Sequence, residues 1–432
     1  MYLLYDLLLL TSALVLVPWY LLRGVRYGKT RRGIRERLGF YAAERLAPLA
    51  GRGVIWVHAV SVGETRAAIP LVKALKASYP EHALVVSNVT ETGHAIAREI
   101  GEIDLCLFFP FDLSWVVRRV LDRIRPDLIV IVETEIWPNF VRQAHLRGIP
   151  LALVNGRLSD RSFPRYRAVR ALVRPLLEQF AAFCMQTELD AERIRQLGAP
   201  DERVEVTRNL KFDMQGTIPD AQATASLKEM FRLPEGIPVW VAGSTHAGEE
   251  EIVADTFRKL TAGGRQAILI LVPRHPERCT AVAQMLSSRQ IDPVFRSELE
   301  DRDSLLQSGE VVIGDTLGEM LRFYAVADLV FVGGSLVDIG GHNVLEASLL
   351  KKPALFGPHM HNFKEISRLL LEVRGGLQVA DGEELEGAVW RLLEDPDMGR
   401  EMGRRGHGLL EQNAGATAHT VKTLVKVMDG RG

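Results

Sequence analysis

Acidic side chains follow two apolar runs of the chain, where a parallel sheet would present them at its edge. Glu64 lies just after the run at 54–60, and Glu133 and Glu135 stand at the end of the run at 127–134. A carboxylate at the start of a helix usually complements the helix dipole, but one that follows a buried strand can also act as a general base. Both interpretations of Glu64 remain open here. For Glu133 and Glu135 the alternatives are capping of the next helix and steering of a neighbouring base or cation.

Basic side chains occupy corresponding places later in the chain. Arg208 and Lys211 follow the short run at 204–207, and Arg274 with His275 follows a very apolar run that begins at residue 266. A guanidinium suits bidentate binding of phosphate or carboxylate, whereas a lone lysine at such a place is more often a surface residue. If these cations reach a common site, they favour an anionic ligand or leaving group.

Glycines mark the most informative segment, at 328–347. An apolar run leads into Gly333–Gly334 and then Gly340–Gly341, and a helix is predicted to begin near Asn343 with Glu346 one turn in. Glycines allow the backbone to approach a phosphate, and an acidic residue placed like Glu346 can accept hydrogen bonds from a ribose. The alternative is a glycine-rich turn of the kind common in α/β proteins, with Glu346 completing a helix cap.

Signals for a metal site are weak. The sequence holds no GxGxxG, no Walker A lysine loop and no HExxH. D-x-D occurs at 301–303 and 395–397, in polar connecting segments where solvated charge is the simpler explanation. His359 and His361 lie in a loop that precedes a predicted helix. We therefore predict no metal.

Composition limits the class of protein. The chain has 432 residues, 47% of them hydrophobic, which predicts a folded protein with two domains. A formal net charge of -1 disfavours a nucleic-acid binder. The three cysteines, Cys106, Cys184 and Cys279, are far apart, which predicts no disulfide framework and a reducing compartment.

Apolar runs that alternate with helical spacing must position these side chains. This alternation predicts an α/β protein with two doubly wound, Rossmann-like domains and a ligand cleft at the carboxyl ends of their strands. The predicted strands lie in the runs at 54–60, 83–89, 104–111, 127–134, 150–156, 181–187, 204–207, 239–244, 266–274, 311–316, 328–335 and 353–358. The predicted organisation is an anchor at 1–24, a first domain at 25–213, a linker at 214–223, a second domain at 224–396, and terminal helices at 397–432 that pack back toward the first domain.

The N-terminus has the composition of a membrane anchor. Residues 2–22 are nearly all apolar, aromatic residues end the segment, and a basic stretch follows at 23–37. This order predicts one uncleaved helix that spans the membrane or lies in its interface, domains on the cytoplasmic side, and contact with anionic lipid. Asp6 and Pro18 depart from an ideal span. A buried helix is the alternative.

Taken together, the motifs resemble one family over nearly the whole chain. They are HAVSVGE, ETEIWPN, RLSDRS, NLKFD, STHAGEE, VPRHPER, GDTLGEM, FVGGS, GGHNVLE and GPHMHNFKE. The chain resembles the Kdo transferases, membrane-anchored enzymes that transfer 3-deoxy-D-manno-octulosonic acid in lipopolysaccharide assembly. One departure is Gly156, where the family pattern suggests alanine.

The resemblance implies a metal-independent, inverting glycosyltransferase of the GT-B fold. It implies CMP-Kdo as the donor substrate, no further cofactor, and a lipid A precursor (lipid IVA) as the acceptor at the bacterial inner membrane. Glu64 would be the general base, and Glu133 and Lys211 would support the transition state. The CMP-binding segments would be Pro273–Arg274, Gly318–Glu319–Met320 and Asn343–Val344–Leu345–Glu346.

Two alternatives of other kinds stay open. One is a GT-B transferase or epimerase that acts on a different nucleotide sugar, which competition between CMP and UDP would distinguish. The other is a catalytically silent, membrane-tethered protein that binds a nucleotide. The presence of Glu64, Glu133, Lys211, Arg274 and Glu346 together argues against loss of activity.

Overall fold

The computed structural model describes residues 5–12, 33–214 and 218–430. They form two compact units, one with the residues up to Met214 together with those from Asn413 onward, and one with the residues between. Each unit contains a seven-stranded parallel sheet. The predicted α/β class with two parallel-sheet domains is therefore confirmed.

The first sheet has the strand order β3-β2-β1-β4-β5-β6-β7. Its strands are β1 (Val54–His58), β2 (Ala83–Asn88), β3 (Leu105–Phe108), β4 (Leu128–Val132), β5 (Leu151–Gly156), β6 (Ala182–Met185) and β7 (Val204–Val206). All five residues of β1 are buried, since Val54 and Trp56 pack in one hydrophobic core and Ile55 and Val57 in another. Continuous apolar runs are expected for strands that are covered on both faces.

Helices cover both faces of this sheet. They are α1 (Ile34–Arg37), α2 (Ala43–Leu46), α3 (Val62–Ser78), α4 (Glu91–Arg98), α5 (Ser114–Ile124), α6 (Pro138–His145), α7 (Ser162–Ala168), α8 (Arg170–Leu177) and α9 (Glu188–Leu197). Carboxylates and hydroxyls fix several of their first turns. Asp112, for example, accepts hydrogen bonds from the amides of Asn139 (3.1 Å) and Phe140 (2.8 Å) at the start of α6.

The second sheet has the order β10-β11-β9-β8-β12-β13-β14. Its strands are β8 (Val239–Thr245), β9 (Ile268–Pro273), β10 (Val294–Phe295), β11 (Val311–Ile313), β12 (Leu329–Val332), β13 (Ala354–Phe356) and β14 (Gly376–Gln378). Its helices are α10 (Ala221–Met230), α11 (Glu249–Ala262), α12 (Cys279–Ser288), α13 (Met320–Val326), α14 (Leu345–Leu349), α15 (Lys364–Glu372), α16 (Gly382–Glu394) and α17 (Pro396–Asn413). The sequence pattern did not predict β10 and β14, which are short edge strands without a long apolar run.

The chain returns to the first unit at its C-terminus. The last helix, α18 (Ala416–Asp429), packs against α3 and buries Leu424 completely. Asp213 fixes its start, because its carboxylate accepts hydrogen bonds from the amides of Gly415 (2.7 Å) and Thr417. The helix before it, α17, lies almost entirely in the second unit.

The apolar N-terminal segment is described only in part. Residues 5–12 are helical, and no helix in the described part of the chain is long and apolar enough to cross a membrane. The predicted interfacial aromatics and most of the basic stretch, at 13–32, lie outside the described residues. Arg37 is described, and its guanidinium donates to the carbonyl of Val89 (2.5 Å) and lies over the ring of Phe108. This arginine therefore serves the fold of the unit.

Candidate functional site

The order of the first sheet identifies one place where a ligand would bind. Strands β1 and β4 are neighbours, although β2 and β3 lie between them in the chain, so the direction of winding reverses there. In doubly wound sheets, ligands bind outside the carboxyl ends of the strands at such a switch point. Glu64 follows β1 and Glu133 follows β4. The fold thus brings two predicted site residues to the same switch point.

Glu64 caps the start of a helix and has a raised pKa. Its carboxylate accepts hydrogen bonds from the amide of Val60 (2.7 Å) and the hydroxyl of Ser61 (2.8 Å), in the first turn of α3. Burial and, after it, the negative charge of Glu133 raise the pKa of Glu64 to about 7, against the opposing effect of these hydrogen bonds. A carboxyl group with a pKa near the working pH is well suited to take up a proton during catalysis.

Glu133 faces Lys211, which follows β7. The Nζ atom of Lys211 lies 3.9 Å from Oε1 of Glu133, and both side chains are partly shielded from solvent. Glu133 has a left-handed backbone, with φ of 62°, which costs a residue other than glycine about 1–3 kcal/mol. The amide of Glu133 is held by the carbonyl of Val154 (2.9 Å), so neighbouring β5 maintains this conformation. This left-handed backbone distinguishes Glu133 from a residue that only caps the start of a helix.

A buried network of side-chain amides positions the turn that carries Lys211. Asn155 accepts a hydrogen bond from the amide of Leu210 (3.0 Å) through its Oδ1, and its carbonyl accepts one from Gln186 (2.9 Å). Gln186 accepts a hydrogen bond from Asn209 (3.0 Å), whose own Oδ1 accepts one from the amide of Lys211 (3.0 Å). The three amide side chains are almost fully buried. They hold the backbone of the turn that carries Lys211, and no sequence motif predicted this role for them.

The second sheet has a switch point of the same kind, between β8 and β12. The predicted nucleotide segments follow strands of this sheet. Pro273 ends β9, and the amide of Arg274 donates to the carbonyl of Thr245 (2.9 Å). Asn343–Val344–Leu345–Glu346 follows β12, with the side chains of Val344 and Leu345 fully buried. Those two residues can therefore offer only backbone atoms to a ligand, whereas Asn343 and Glu346 are half-exposed.

The predicted segment Gly318–Glu319–Met320 leads into α13. Gly318 is exposed, with φ of 80°, and the carboxylate of Glu319 is held by buried Arg296 (3.1 Å) and by Thr316 (2.5 Å). The charge of Arg296 and these hydrogen bonds outweigh burial and keep the pKa of Glu319 below its usual range. Glu319 is thus an ionised, structurally fixed carboxylate at the entrance to this helix.

Three amides of the glycine-rich loop have an internal partner. The amides of Gly334 (2.6 Å), Ser335 (2.8 Å) and Leu336 (2.8 Å) all donate to the carboxylate of Glu249. Glu249 is fully buried and also accepts a hydrogen bond from the amide of His246 (3.0 Å). An internal carboxylate therefore occupies the amide cradle that the glycines suggested for a phosphate. Glu249 lies 85 residues away in the chain, so local sequence carried no signal for this contact.

The neighbouring carboxylate, Glu250, forms an ion pair with Arg278. The carboxylate of Glu250, which is 1% exposed, accepts hydrogen bonds from Nη1 (2.7 Å) and Nη2 (3.2 Å) of Arg278. His359 and His361 lie near Asp338, at 3.5 and 3.7 Å. Within the described residues, no group of three or more histidine, cysteine or acidic side chains is arranged to hold a metal ion.

Known proteins resemble this chain along most of its length. Residues 32–214 match the family model described as 3-deoxy-D-manno-octulosonic-acid transferase (kdotransferase). A 3-deoxy-D-manno-octulosonic acid transferase from Haemophilus influenzae is 36% identical over 421 residues, which cover 97% of this chain and 96% of that protein. The chain belongs to the Kdo transferase family. A Kdo transferase from Bordetella pertussis is 33% identical over 405 residues, 90% of each chain. The predicted family is confirmed.

Solved structures bear on the fold of this Kdo transferase. A glycosyltransferase from Rickettsia africae has a TM-score of 0.56 at 12% identity and covers 88% of this chain and 98% of that one. A UDP-GlcNAc 2-epimerase from Neisseria meningitidis has a TM-score of 0.57 at 13% identity and covers 87% of this chain and 100% of that one. The shared feature is a GT-B-like architecture of two parallel-sheet α/β domains. At these identities the likeness concerns the fold alone.

Proposed function

We propose that this Kdo transferase moves Kdo from CMP-Kdo to a lipid A precursor (lipid IVA), with inversion at the anomeric carbon and without a metal ion. Membership in the Kdo transferase family supports CMP-Kdo as the donor and transfer of Kdo as the reaction. The observation that carries the proposal is the joint placement of Glu64, Glu133 and Lys211 around the switch point of the first sheet. This arrangement combines Glu64, whose pKa suits a general base, with the ammonium of Lys211, which the fold holds in place.

In the proposed mechanism, Glu64 takes the proton from an acceptor hydroxyl. That oxygen forms a bond to the anomeric carbon of Kdo, and the bond from this carbon to the phosphate oxygen of CMP breaks. Attack opposite the leaving group inverts the configuration. Lys211 stabilises negative charge that develops on the departing phosphate, which is the task that a metal ion performs in other transferases. Glu133 holds the Lys211 ammonium in place.

The proposal is tested with the full chain purified in detergent. CMP-Kdo and a tetra-acylated lipid A precursor are supplied in the presence of EDTA, and the product is analysed by mass spectrometry. A mass gain in whole Kdo units, with a retained chelator-resistant rate, supports the donor, the acceptor and metal independence. If folded protein gives no gain, and UDP binds while CMP does not, the donor assignment is wrong. If CMP binds but nothing is transferred to any acceptor, the protein is a nucleotide-binding protein without this activity.

The rate of transfer should depend on pH through Glu64. Because the pKa of Glu64 is raised to about 7, only its deprotonated fraction can accept the proton. We expect kcat at saturating donor and acceptor to rise about tenfold per unit of pH below 7 and to level off above it. The measurement is a kcat profile from pH 5.5 to 8.5. A profile that is flat below pH 7, with chemistry shown to limit turnover, would exclude Glu64 as the base.

We further propose that the N-terminal segment ties the enzyme to the bacterial inner membrane, where the acceptor resides, with the catalytic domains on the cytoplasmic side. Its described part supports this, because Leu7 and Leu8 are each 57% exposed on a helix that is fixed to the first unit. Asp6 makes that attachment. Its carboxylate accepts hydrogen bonds from the amide (3.1 Å) and hydroxyl (2.5 Å) of Ser114 and from the side chain of Asn139 (2.7 Å). Asp6, which departs from the pattern of an ideal membrane span, thus has hydrogen-bond partners in the first unit.

A basic and aromatic surface adjoins this attachment. Ser114, which binds Asp6, also lines an open pocket of about 510 Å³, whose other lining residues are Trp115, Arg118, Arg119, Asp122, Arg123 and Gln143. The guanidinium of Arg119 lies over the exposed ring of Trp115, at 5.3 Å. Exposed tryptophan beside arginine suits the interface of a bilayer with anionic headgroups. This surface is where we propose that membrane lipids contact the first unit.

Removal of the Asp6 carboxylate should release the N-terminal helix. Asp6→Ala loses hydrogen bonds to a charged group, each of which contributes about 1.5–3 kcal/mol. We expect limited proteolysis to cut before residue 33 at least about tenfold faster, and transfer to fall more with bilayer-embedded acceptor than with detergent-dispersed acceptor. Glu99→Ala, at an exposed position of the same unit, is the control. Equal cleavage of the two variants would show that Asp6 does not hold the helix.

A further inference from the structure

Two histidines meet at the switch point of the second sheet. His246 follows β8 and His342 follows β12, the two strands between which the winding of this sheet reverses. Both side chains are half-exposed, so a ligand can reach them. Neither histidine belongs to the CMP-binding segments that the family resemblance implies. Their position is nevertheless the one at which doubly wound sheets bind ligands.

The two imidazoles are hydrogen-bonded to each other. Their Nε2 atoms are 2.8 Å apart, and the ring planes differ by 6° with centroids 5.1 Å apart. A bond between two ring nitrogens needs one donor and one acceptor, so a single proton lies between the Nε2 atoms. Protonation of the acceptor ring would place two N–H groups face to face. The pair must then open and direct both groups elsewhere.

The surrounding backbone holds this arrangement. Glu249 accepts hydrogen bonds from the amides of both His246 (3.0 Å) and Gly334 (2.6 Å), which ties the loop after β8 to the loop after β12. Gly334 has φ of 67°, and a Cβ atom there would lie 2.9 Å from Cδ2 of His342. The close approach of His342 therefore requires glycine at this position. The pair is built into the fold of this loop cluster.

Charged groups around the pair make it receptive to an anion. Arg274 and Arg278 act on His246 from the segment after β9, and the ring of His275 lies edge-on to His246 at 5.7 Å. Burial is the largest cause that lowers the pKa of His246, and His275, Arg274 and Arg278 lower it further, while Glu250 opposes them. Both nearby carboxylates already have partners, since Arg278 binds Glu250 and backbone amides bind Glu249. A proton on the pair is thus unfavourable until an anion arrives.

We propose that the His246–His342 pair takes up one proton from solvent when the phosphate group of the nucleotide binds, and that both Nε2–H groups then donate to its oxygens. The N–H···N bond breaks, and two charge-assisted hydrogen bonds form in its place. The inference rests on the proposed function for the nature of the ligand, a nucleoside monophosphate or its sugar ester. It adds a phosphate-binding element, and it predicts that nucleotide binding consumes a proton.

Proton uptake can be measured directly with CMP. Isothermal titration calorimetry of the full chain at pH 7.5, in two buffers with different heats of ionisation, gives the number of protons bound per CMP. We expect about one proton for the wild type and almost none for either His246→Gln or His342→Gln. His359→Gln, in an exposed loop of the same unit, is the control and should retain the uptake. Uptake that persists in both pair variants would overturn the inference.

A second measurement needs no variant. The phosphate of CMP has lost its second proton by pH 7.5, because its second pKa is about 6. Above that pH, proton uptake by the pair predicts that the dissociation constant of CMP rises about tenfold per pH unit. A constant affinity from pH 7.5 to 9 would overturn the inference but leave the proposed function intact. If folded protein binds no CMP at all, both the inference and the proposed donor are wrong.

Discussion

Replacement of Glu64 by glutamine is expected to slow Kdo transfer by about 10²- to 10⁴-fold, the usual contribution of a general base. Glutamine keeps the shape of the side chain, and its carbonyl oxygen can still accept the hydrogen bond from the amide of Val60. What it loses is the ability to accept a proton from the acceptor hydroxyl. The affinity for CMP should stay unchanged, because the proposed CMP segments belong to the other unit.

A matched control separates this role from helix capping. Glu188 also lies in the first turn of a helix that follows a strand of the same sheet, but β6 is not at the switch point. Glu188→Gln should therefore retain full activity, and both variants should keep the thermal stability of the wild type within a few degrees. Near-normal turnover of Glu64→Gln would remove Glu64 from the role of base. An equal loss in Glu188→Gln would point to a general effect of altered helix starts.

The two interpretations of Glu64 that the sequence left open are compatible. The carboxylate accepts hydrogen bonds at the start of α3, as a capping residue does, and its burial is the largest of the causes that raise its pKa to about 7. A sequence motif can show that a carboxylate follows a strand. It cannot show that Glu133, 69 residues later, lies near enough to raise that pKa further. That information depends on the pairing of β1 with β4.

The sequence predicted the strands well where burial dictated their composition. β1 and β4 consist of five consecutive buried residues each, and such runs are visible without a structure. β10 and β14 have two and three residues and lie at the edges of the second sheet. These two edge strands are short and partly exposed, so their sequences carry no continuous apolar signal. Composition therefore revealed the centre of the second sheet better than its margins, whereas in the first sheet the runs at 104–111 and 204–207 also predicted the edge strands β3 and β7.

Contacts between distant polar residues were not predictable. Asp6 looked like a defect in an apolar helix, yet it binds Ser114 and Asn139 across more than a hundred residues of chain. Glu249 stands in the motif STHAGEE, which does not show that its carboxylate accepts hydrogen bonds from the amides of Gly334 and Leu336. In both cases the residue type was visible and its partner was not. Only the fold decides which buried donor a carboxylate will satisfy.

Glu249→Ala is expected to be the most destabilising single change in the second unit that we can name. It leaves the buried amides of Gly334 and Ser335 without a partner, together with those of Leu336 and His246. An unsatisfied buried donor costs about 1–3 kcal/mol, so we expect a loss of several kcal/mol, reduced where water enters. Hydrogen exchange of the Gly334–Leu336 amides, followed by mass spectrometry, should accelerate by at least about a hundredfold.

Glu251→Ala provides the comparison, because the carboxylate of Glu251 accepts a single hydrogen bond from the exposed amide of Gly248 (3.0 Å). Its effect should be within about 1 kcal/mol. The contrast decides how this loop works. If Glu249→Ala loosens the loop and Glu251→Ala does not, the glycine-rich segment is organised around the carboxylate of Glu249. The nucleotide phosphate must then be bound by side chains such as Arg274 and the histidine pair. If the amides stay protected without Glu249, the loop is rigid by itself and its amides become available to a phosphate, as the glycines first suggested.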